Sequence, residues 1–391
     1  MIKNVHWYNG YAVIEGNNRM EFFLSKTQFE ILRLYSVGKN IDEIVTELLN
    51  DISVETNELI FVKNNVEMVL EHFKELELVL DRNVFESGVC GKFYPKTLNI
   101  ELTNRCNFYC THCYKEASSN NNDIIKMEKI KELLNSFKGK MAVLNLTGGE
   151  PLLHPSFKEI IRSFGKDYCI NVTTNGSLIS NLNLEDIKLI NNFQISLYGI
   201  DEESYVYVTN KRGMFKMVKE SLDLLSKQRI PFSVAIMLNK QVCRDISLYK
   251  EMIEKTSATY VVFSKVGIAG RADVNDDFWV VTEEMESELK TYVTNNFKIE
   301  TNFKFLNEKN VDFFKYQYGC TAGKLQLTIS EKGELVLCNI LDHNFFSLGK
   351  CDILYSYVEH DYDCKQIKCM MESYKKKFDC RNHICPLLRE T

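Results

Sequence analysis

The stretch Thr97-Leu98-Asn99-Ile100-Glu101-Leu102-Thr103-Asn104-Arg105-Cys106-Asn107-Phe108-Tyr109-Cys110-Thr111-His112-Cys113 decides how this chain is read. Its first seven residues alternate apolar and polar, which predicts a buried strand. The cysteines follow at C-x3-C-x2-C, on a loop that ends that strand. Three thiolates so spaced can hold three corners of a cubic iron–sulfur cluster. No fourth cysteine lies nearby, so one iron stays open to a small chelating ligand. Structural zinc closes four ligands, usually from paired C-x2-C knuckles, and ferredoxin spacing brings a fourth cysteine. A disulfide is the weak alternative.

Outward from this loop, strand-like and helix-like runs alternate. The strands are expected at Leu98–Leu102, 141–146, Cys169–Thr174, Phe193–Leu197, Phe232–Leu238 and 260–263, with amphipathic helical stretches between them. Such alternation implies right-handed crossovers and a parallel sheet, an α/β fold. Six units are too few for an eight-fold barrel, so a curved, partly open six-stranded barrel is expected. Ligands then belong over the C-terminal ends of the strands. Those ends carry Thr147-Gly148-Gly149-Glu150-Pro151, Thr173-Thr174-Asn175-Gly176, Ser196-Leu197-Tyr198-Gly199 and Gly270-Arg271-Ala272. Each motif alone is also ordinary turn chemistry.

Together with the cysteine triplet, these strand-end motifs resemble the radical S-adenosylmethionine (SAM) enzymes. The resemblance implies a partial (β/α)6 barrel over residues 93–305, with a [4Fe-4S] cluster on Cys106, Cys110 and Cys113. SAM would chelate the open iron, and the glycine segment Gly148, Gly149 and Glu150 would take its amino group. Thr174, Asn175 and Ser196 would serve its ribose and carboxylate. Arg271 would bind the carboxylate in a fork, with a plain surface arginine as the alternative. His112 stands where the family usually has an aromatic residue packed near the adenine. No catalytic side chain beyond these ligands stands out.

Ahead of the barrel, 11–15 and 20–24 flank Gly16-Asn17-Asn18 and read as two hairpin strands. Three amphipathic helices follow, near 27–35, 41–50 and 55–78, and the glycine-containing stretch 81–92 reads as a linker. Residues 1–85 thus form an α+β, winged-helix-like domain. Residues 1–90 hold 8 Lys/Arg against 15 Asp/Glu, a balance of −7 that argues against a nucleic-acid face. The order resembles the leader-peptide recognition domains of enzymes that modify ribosomally made peptides, which take the leader as an added strand. A structural cap on the barrel is the bland alternative.

Seven of the thirteen cysteines fall in residues 306–391. Cys320 and Cys338 end a predicted hairpin that turns at Gly333, which brings two thiolates together. The pattern Cys320…Gly333-x4-Cys338 resembles the SPASM and twitch auxiliary-cluster extensions, a small cysteine-rich iron–sulfur domain. Cys364, Cys369, Cys380 and Cys385 are then candidate further ligands, with Cys351 least tied to the pattern. Seven cysteines cannot close two four-cysteine clusters, so one or two auxiliary iron–sulfur clusters are expected. Cys90, Cys169 and Cys243 are read as small buried apolar residues.

The 391 residues are 45% hydrophobic and 26% charged, with net charge −5. That describes a globular protein of two or three domains, with no nucleic-acid footprint, membrane span or signal peptide. A cytoplasmic location follows. The resemblance implies a 5′-deoxyadenosyl radical that modifies a precursor peptide, with flavodoxin or ferredoxin as the external one-electron reductant. A cysteine sulfur-to-carbon thioether is the expected product. Carbon–carbon crosslinking, epimerisation and sulfatase-maturase-like oxidation of a protein Cys or Ser use the same parts. An iron–sulfur electron carrier or sensor is the alternative from another class.

Overall fold

The computed structural model describes residues 1–15, 21–50, 55–266, 269–272, 277–303, 323, 325–337, 346–359 and 373. The N-terminal module holds β1 (Ile2–Tyr8), β2 (Tyr11–Glu15), β3 (Glu21–Ser25), α1 (Lys26–Ser36), α2 (Ile41–Leu49), α3 (Thr56–Glu75) and β4 (Leu80–Gly88). Ser25 and Asn40 cap the first two helices, each in a reciprocal capping box. The sheet runs β3-β2-β1-β4.

Two expectations are corrected here. The sheet has four strands rather than two, and the stretch expected to be a linker from residue 81 is mostly β4, paired parallel to β1. β4 buries only Leu80 and Ser87, so its sequence carries no two-residue period. β1 breaks its apolar pattern at Lys3, Asn4 and His6. His6 is nevertheless buried, with its ring nitrogens 3.0 Å from Ser87 Oγ and 2.8 Å from the Tyr94 carbonyl. The sheet is covered on both faces. Ala12, Ile14, Phe22 and Leu24 pack with the helices, while Tyr8, Val13 and Phe23 pack with Leu325 and Phe93.

The second sheet runs β11-β10-β9-β8-β7-β6-β5-β12-β13-β14. Its six central parallel strands are β5 (Thr97–Glu101), β6 (Val143–Thr147), β7 (Cys169–Thr174), β8 (Asn192–Leu197), β9 (Phe232–Leu238) and β10 (Tyr260–Lys265). Between them lie α4 (Met127–Ser136), α5 (Phe157–Phe164), α6 (Leu184–Ile187), α7 (Glu202–Thr209), α8 (Met214–Lys227) and α9 (Lys240–Glu254). The helix-facing positions are apolar and fully buried, among them Ile100, Leu144, Ile170, Phe193, Val234 and Phe263. The expected six-stranded open barrel is present, and it is longer than expected. After α10 (Glu283–Asn296), β11 (Glu300–Phe303) adds a seventh parallel strand beside β10.

On the other side, β12 (Gln326–Ile329) pairs parallel to β5 and turns into β13 (Glu334–Val336) and β14 (Ser347–Lys350), followed by α11 (Leu354–Tyr357). The hairpin predicted from the cysteine pattern is therefore part of the barrel's own sheet. Cys320, Cys338, Cys364, Cys369, Cys380 and Cys385 lie outside the described residues. Of the three cysteines read as buried, Cys90 is exposed and Cys169 and Cys243 are half-buried, whereas Cys351, the tail cysteine least tied to the pattern, is buried. No helix among the described residues is long and apolar enough to cross a membrane.

Candidate active site at the strand C-termini

The cysteine loop leaves the end of β5 and is held from three sides. Cys106 donates its amide to the Ser118 carbonyl at 3.0 Å. The amides of Tyr109 and Thr111 donate to Thr209 and Val208 at the end of α7, each at 3.0 Å. From the segment after β10, Arg271 donates its amide to Cys113, Nε to the Cys110 carbonyl at 2.9 Å and Nη2 to the Ala117 carbonyl at 2.8 Å. Its guanidinium lies 4.1 Å from the centre of the Tyr109 ring. Gly270, at φ +58°, is required here: a Cβ would sit 2.4 Å from the Cys113 carbonyl oxygen.

Cys106, Cys110 and Cys113 are unpaired and gathered within reach of one another's charge. Burial pushes the Cys106 thiol up to about 12, helped by the neighbouring Glu150 carboxylate and Cys113. Burial and the other two cysteines raise Cys110 as well, against the pull of Arg271. Burial holds the Cys106 and Cys110 thiols protonated until a cation arrives to bind the thiolate form, and Cys113 lies beside them. Among the described residues, no three His, Cys, Asp or Glu side chains are arranged to hold a single metal ion.

The other strand ends close on this loop. Gly148, at φ +130°, and Gly149 bring the end of β6 onto residues 103–105, where added Cβ atoms would meet carbonyl oxygens at 2.4 Å. The amides of Gly149 and Glu150 donate to Thr103 at 2.7 Å and Arg105 at 2.8 Å. The Glu150 carboxylate is fully buried and accepts from Thr174 Oγ1 at 2.8 Å, the Asn175 amide at 2.9 Å and the Leu152 amide at 3.2 Å. Burial nonetheless raises its pKa to about 7. Asn175 in turn points Nδ2 at Cys106 Sγ, 3.8 Å away, and at Asn107 Oδ1, 2.9 Å away.

His112 packs between Tyr198 and Trp279, with ring centres 5.3 and 4.7 Å away, and burial lowers its pKa to about 4. Its Nδ1 and Trp279 Nε1 are both shut off from solvent with no hydrogen-bond partner among the described residues. Two orphaned buried polar atoms beside three thiols leave room for a polar ligand. Ser196, at the end of β8, lies beside Tyr198 with its carbonyl accepting from Tyr205 at 3.4 Å. The structure thus gathers Cys106, Cys110, Cys113, His112, Gly148, Gly149, Glu150, Thr174, Asn175, Ser196 and Arg271 at one end of the barrel. Trp279 and the α7 end were not read from the sequence. Trp279 is one of only two tryptophans, a signal that singles it out without saying where it goes.

Residues 100–245 match the Radical SAM superfamily. Over these residues the chain is similar to radical SAM domains. The cofactors of such a domain are a [4Fe-4S] cluster and SAM, and the thiol triplet with its orphaned polar neighbours fits them. A probable GTP 3′,8-cyclase of Methanocella arvoryzae is 29% identical over 38% of this chain and 50% of its own length. The sporulation killing factor maturation protein SkfB of Bacillus subtilis is 23% identical over 85% of this chain and 82% of its own length. The subtilosin biosynthesis protein AlbA of the same organism is 26% identical over 75% of this chain and 65% of its own. In fold, the chain is similar to Streptococcus suis SuiB bound to SAM, with a TM-score of 0.63 over 99% of this chain and 92% of that one, at 13% identity.

Proposed function

We propose that this chain is a radical SAM enzyme that modifies a ribosomally made precursor peptide, joining a cysteine sulfur to a carbon of another residue. The observation that carries the reading is coverage. Two relatives that extend over three quarters or more of this chain are a killing-factor maturation protein and a bacteriocin biosynthesis protein, whereas the cyclase matches over 38% of it. SuiB, similar across nearly the whole fold, is also known bound to its precursor peptide SuiA.

In this reading Cys106, Cys110 and Cys113 hold the cluster, and SAM bound to it supplies a 5′-deoxyadenosyl radical for hydrogen abstraction. The chain's own residues orient and enclose. Arg271 and the end of α7 fix the loop that presents the thiols. Glu150 anchors Thr174 and Asn175, so that Asn175 approaches Cys106. Gly148 and Gly149 spend their flexibility on contact with the loop, and their carbonyls accept no hydrogen bond among the described residues, which leaves them for a ligand amine. His112, Tyr198 and Trp279 form an aromatic wall that excludes water.

Residues 1–88 serve as the leader-peptide module, with β3 as the outer strand of its sheet, and Cys320 and Cys338 anchor an auxiliary cluster. Flavodoxin or ferredoxin supplies the electron, and the setting is the cytoplasm. The test is to incubate the reduced, reconstituted protein and SAM with short cysteine-bearing candidate precursor peptides that carry their leaders. The expected product has lost two hydrogens and one free thiol. A peptide recovered unchanged while SAM is cleaved refutes the proposed substrate.

A further inference from the structure

The outward side of the cysteine loop is carried by two residues. Between Arg105 and Cys113 only Arg105 and Tyr109 are exposed, and Tyr109 is next to Cys110 in the chain, with 47% of its surface open. The backbone of Tyr109 is pinned to the end of α7. Its amide donates to the Thr209 carbonyl at 3.0 Å, and its carbonyl accepts from Asn210 Nδ2 at 3.1 Å. The Arg271 guanidinium lies 4.1 Å from the centre of its ring. That guanidinium donates to two carbonyls, and no carboxylate among the described residues pairs with it.

The chain that leaves this contact is basic. Residues 204–219 hold Lys211, Arg212, Lys216 and Lys219 and no Asp or Glu, in a protein of net charge −5. The Lys211 amide donates to Thr209 Oγ1 at 3.3 Å, which keeps it beside the residue that holds Tyr109. Arg212, Lys216 and Lys219 are exposed. Of the four cations only Lys216 has a carboxylate partner among the described residues, Glu220 at 3.9 Å, and such surface pairs contribute little. The acids nearby are few. Glu202 accepts from the Gly213 amide, and Glu116 follows the loop. Tyr207 on α7 adds a second open aromatic ring, 54% exposed. A solvated helix face would account for scattered lysines. It does not account for an open ring backed by an unpaired guanidinium on the cysteine loop itself. Tyrosine and arginine together are the side chains that anchor protein interfaces.

The kind of partner follows from chemistry. A cluster behind this loop has to be reduced by one electron, and electron transfer falls off steeply with distance, so the donor has to dock close to the thiols. The ligand site takes the side that faces the strand ends, which leaves the side where Tyr109 stands. The cations there require an acidic donor. Such a protein is repelled by the chain as a whole, so one basic face both attracts and orients it. We propose that Tyr109, Lys211 and Arg212, with Arg271 behind them, form the docking surface for a small acidic one-electron carrier protein of the flavodoxin or ferredoxin kind. The carrier leaves oxidised by one electron, the cluster gains that electron, and no proton has to move. The inference deepens the proposed function and rests on its reading of Cys106, Cys110 and Cys113 as cluster ligands. It is independent of which peptide is modified.

The test uses the full-length, anaerobically reconstituted protein and an acidic bacterial flavodoxin as the probe. Binding of oxidised flavodoxin is measured by calorimetry at about 50 and about 300 mM salt, because salt screens exposed charges. The parent is expected to bind at low salt and about tenfold more weakly at high salt. Lys211→Glu combined with Arg212→Glu should weaken binding about tenfold at low salt and slow 5′-deoxyadenosine formation driven by reduced flavodoxin. Dithionite, which needs no docking surface, should drive that variant at the parent's rate. No flavodoxin binding by the parent at low salt, or binding that salt leaves unchanged, overturns the proposal without any variant that has to fold. Equal binding by parent and double variant overturns it as well. So does a double variant that keeps flavodoxin and loses a leader-bearing precursor peptide, which would assign the cations to the substrate. A parent that cleaves no SAM with dithionite would remove the cluster reading itself, a failure that the binding measurement tells apart from a failure of the surface.

Discussion

Arg271 makes two side-chain hydrogen bonds to carbonyls of the cysteine loop and lies over Tyr109, which gives it a second role beside the SAM contact suggested by the resemblance. Hydrogen bonds from a charged donor contribute about 1.5–3 kcal/mol each. Arg271→Leu is therefore expected to release the loop and to speed the loss of iron to a chelator, measured by absorbance. Arg271→Lys should rescue little, because an ammonium lacks the fork that spans Cys110 and Ala117. A variant that kept its iron and only raised the KM for SAM would assign the arginine to the ligand alone. The contrast with the cysteines shows what was legible at this scale. Their three ligand positions fall within eight residues, so spacing exposes them. Arg271 acts on partners 161 and 154 residues away, and only the folded chain shows that.

Lys115 joins three elements. Just past the cysteine loop, its ammonium lies 2.7 Å from Glu101 at the end of β5 and 3.0 Å from Glu331 in the turn between β12 and β13. All three side chains are buried. Burial raises Glu101 to about 7, against the opposing pull of Lys115. Removing the cation from between two buried carboxylates is expected to cost about 3–5 kcal/mol, so Lys115→Met should lower the denaturation midpoint far more than Glu331→Gln. Equal midpoints for the two variants would contradict a shared network. His6 makes the corresponding join in the N-terminal module, between β1, β4 and Tyr94. Burial depresses its pKa from 6.5 to about 4, so the folded state binds fewer protons than the unfolded one in that window. Its contribution, about 3 kcal/mol, is complete above pH 6.5 and lost as pH falls toward 4. His6→Gln should flatten that part of the stability–pH curve, and an unchanged slope would place the acid sensitivity elsewhere. The helices and central strands were legible because their periods are strong. β1 and β4 were not, since pairing and a buried histidine stabilise them in place of an apolar stripe.

At the scale of the whole molecule, the N-terminal four-stranded sheet packs against one mouth of the barrel, and β12, β13 and β14 extend the barrel's own sheet. The N-terminal sheet buries Val13 and Phe23 against Leu325 and Phe93, so module and barrel share a core, a link that no single-domain reading of the sequence could show. For the extension, Cys320→Ala or Cys338→Ala is expected to leave SAM cleavage largely intact while stopping crosslink formation. Iron should fall by about one cluster's worth, because thiolates anchor such clusters. Full crosslinking by either variant would leave zinc or plain buried thiols as the account of the tail. All of this depends on the cysteine loop generating the radical. The most direct measurement is 5′-deoxyadenosine formed from SAM and dithionite by the anaerobically reconstituted protein, beside the variant with Cys106, Cys110 and Cys113 all changed to alanine. The account predicts steady production by the parent and none by the triple variant, which retains some iron in the tail. Production at the parent's rate by the triple variant, or none by the iron-loaded parent, would contradict it.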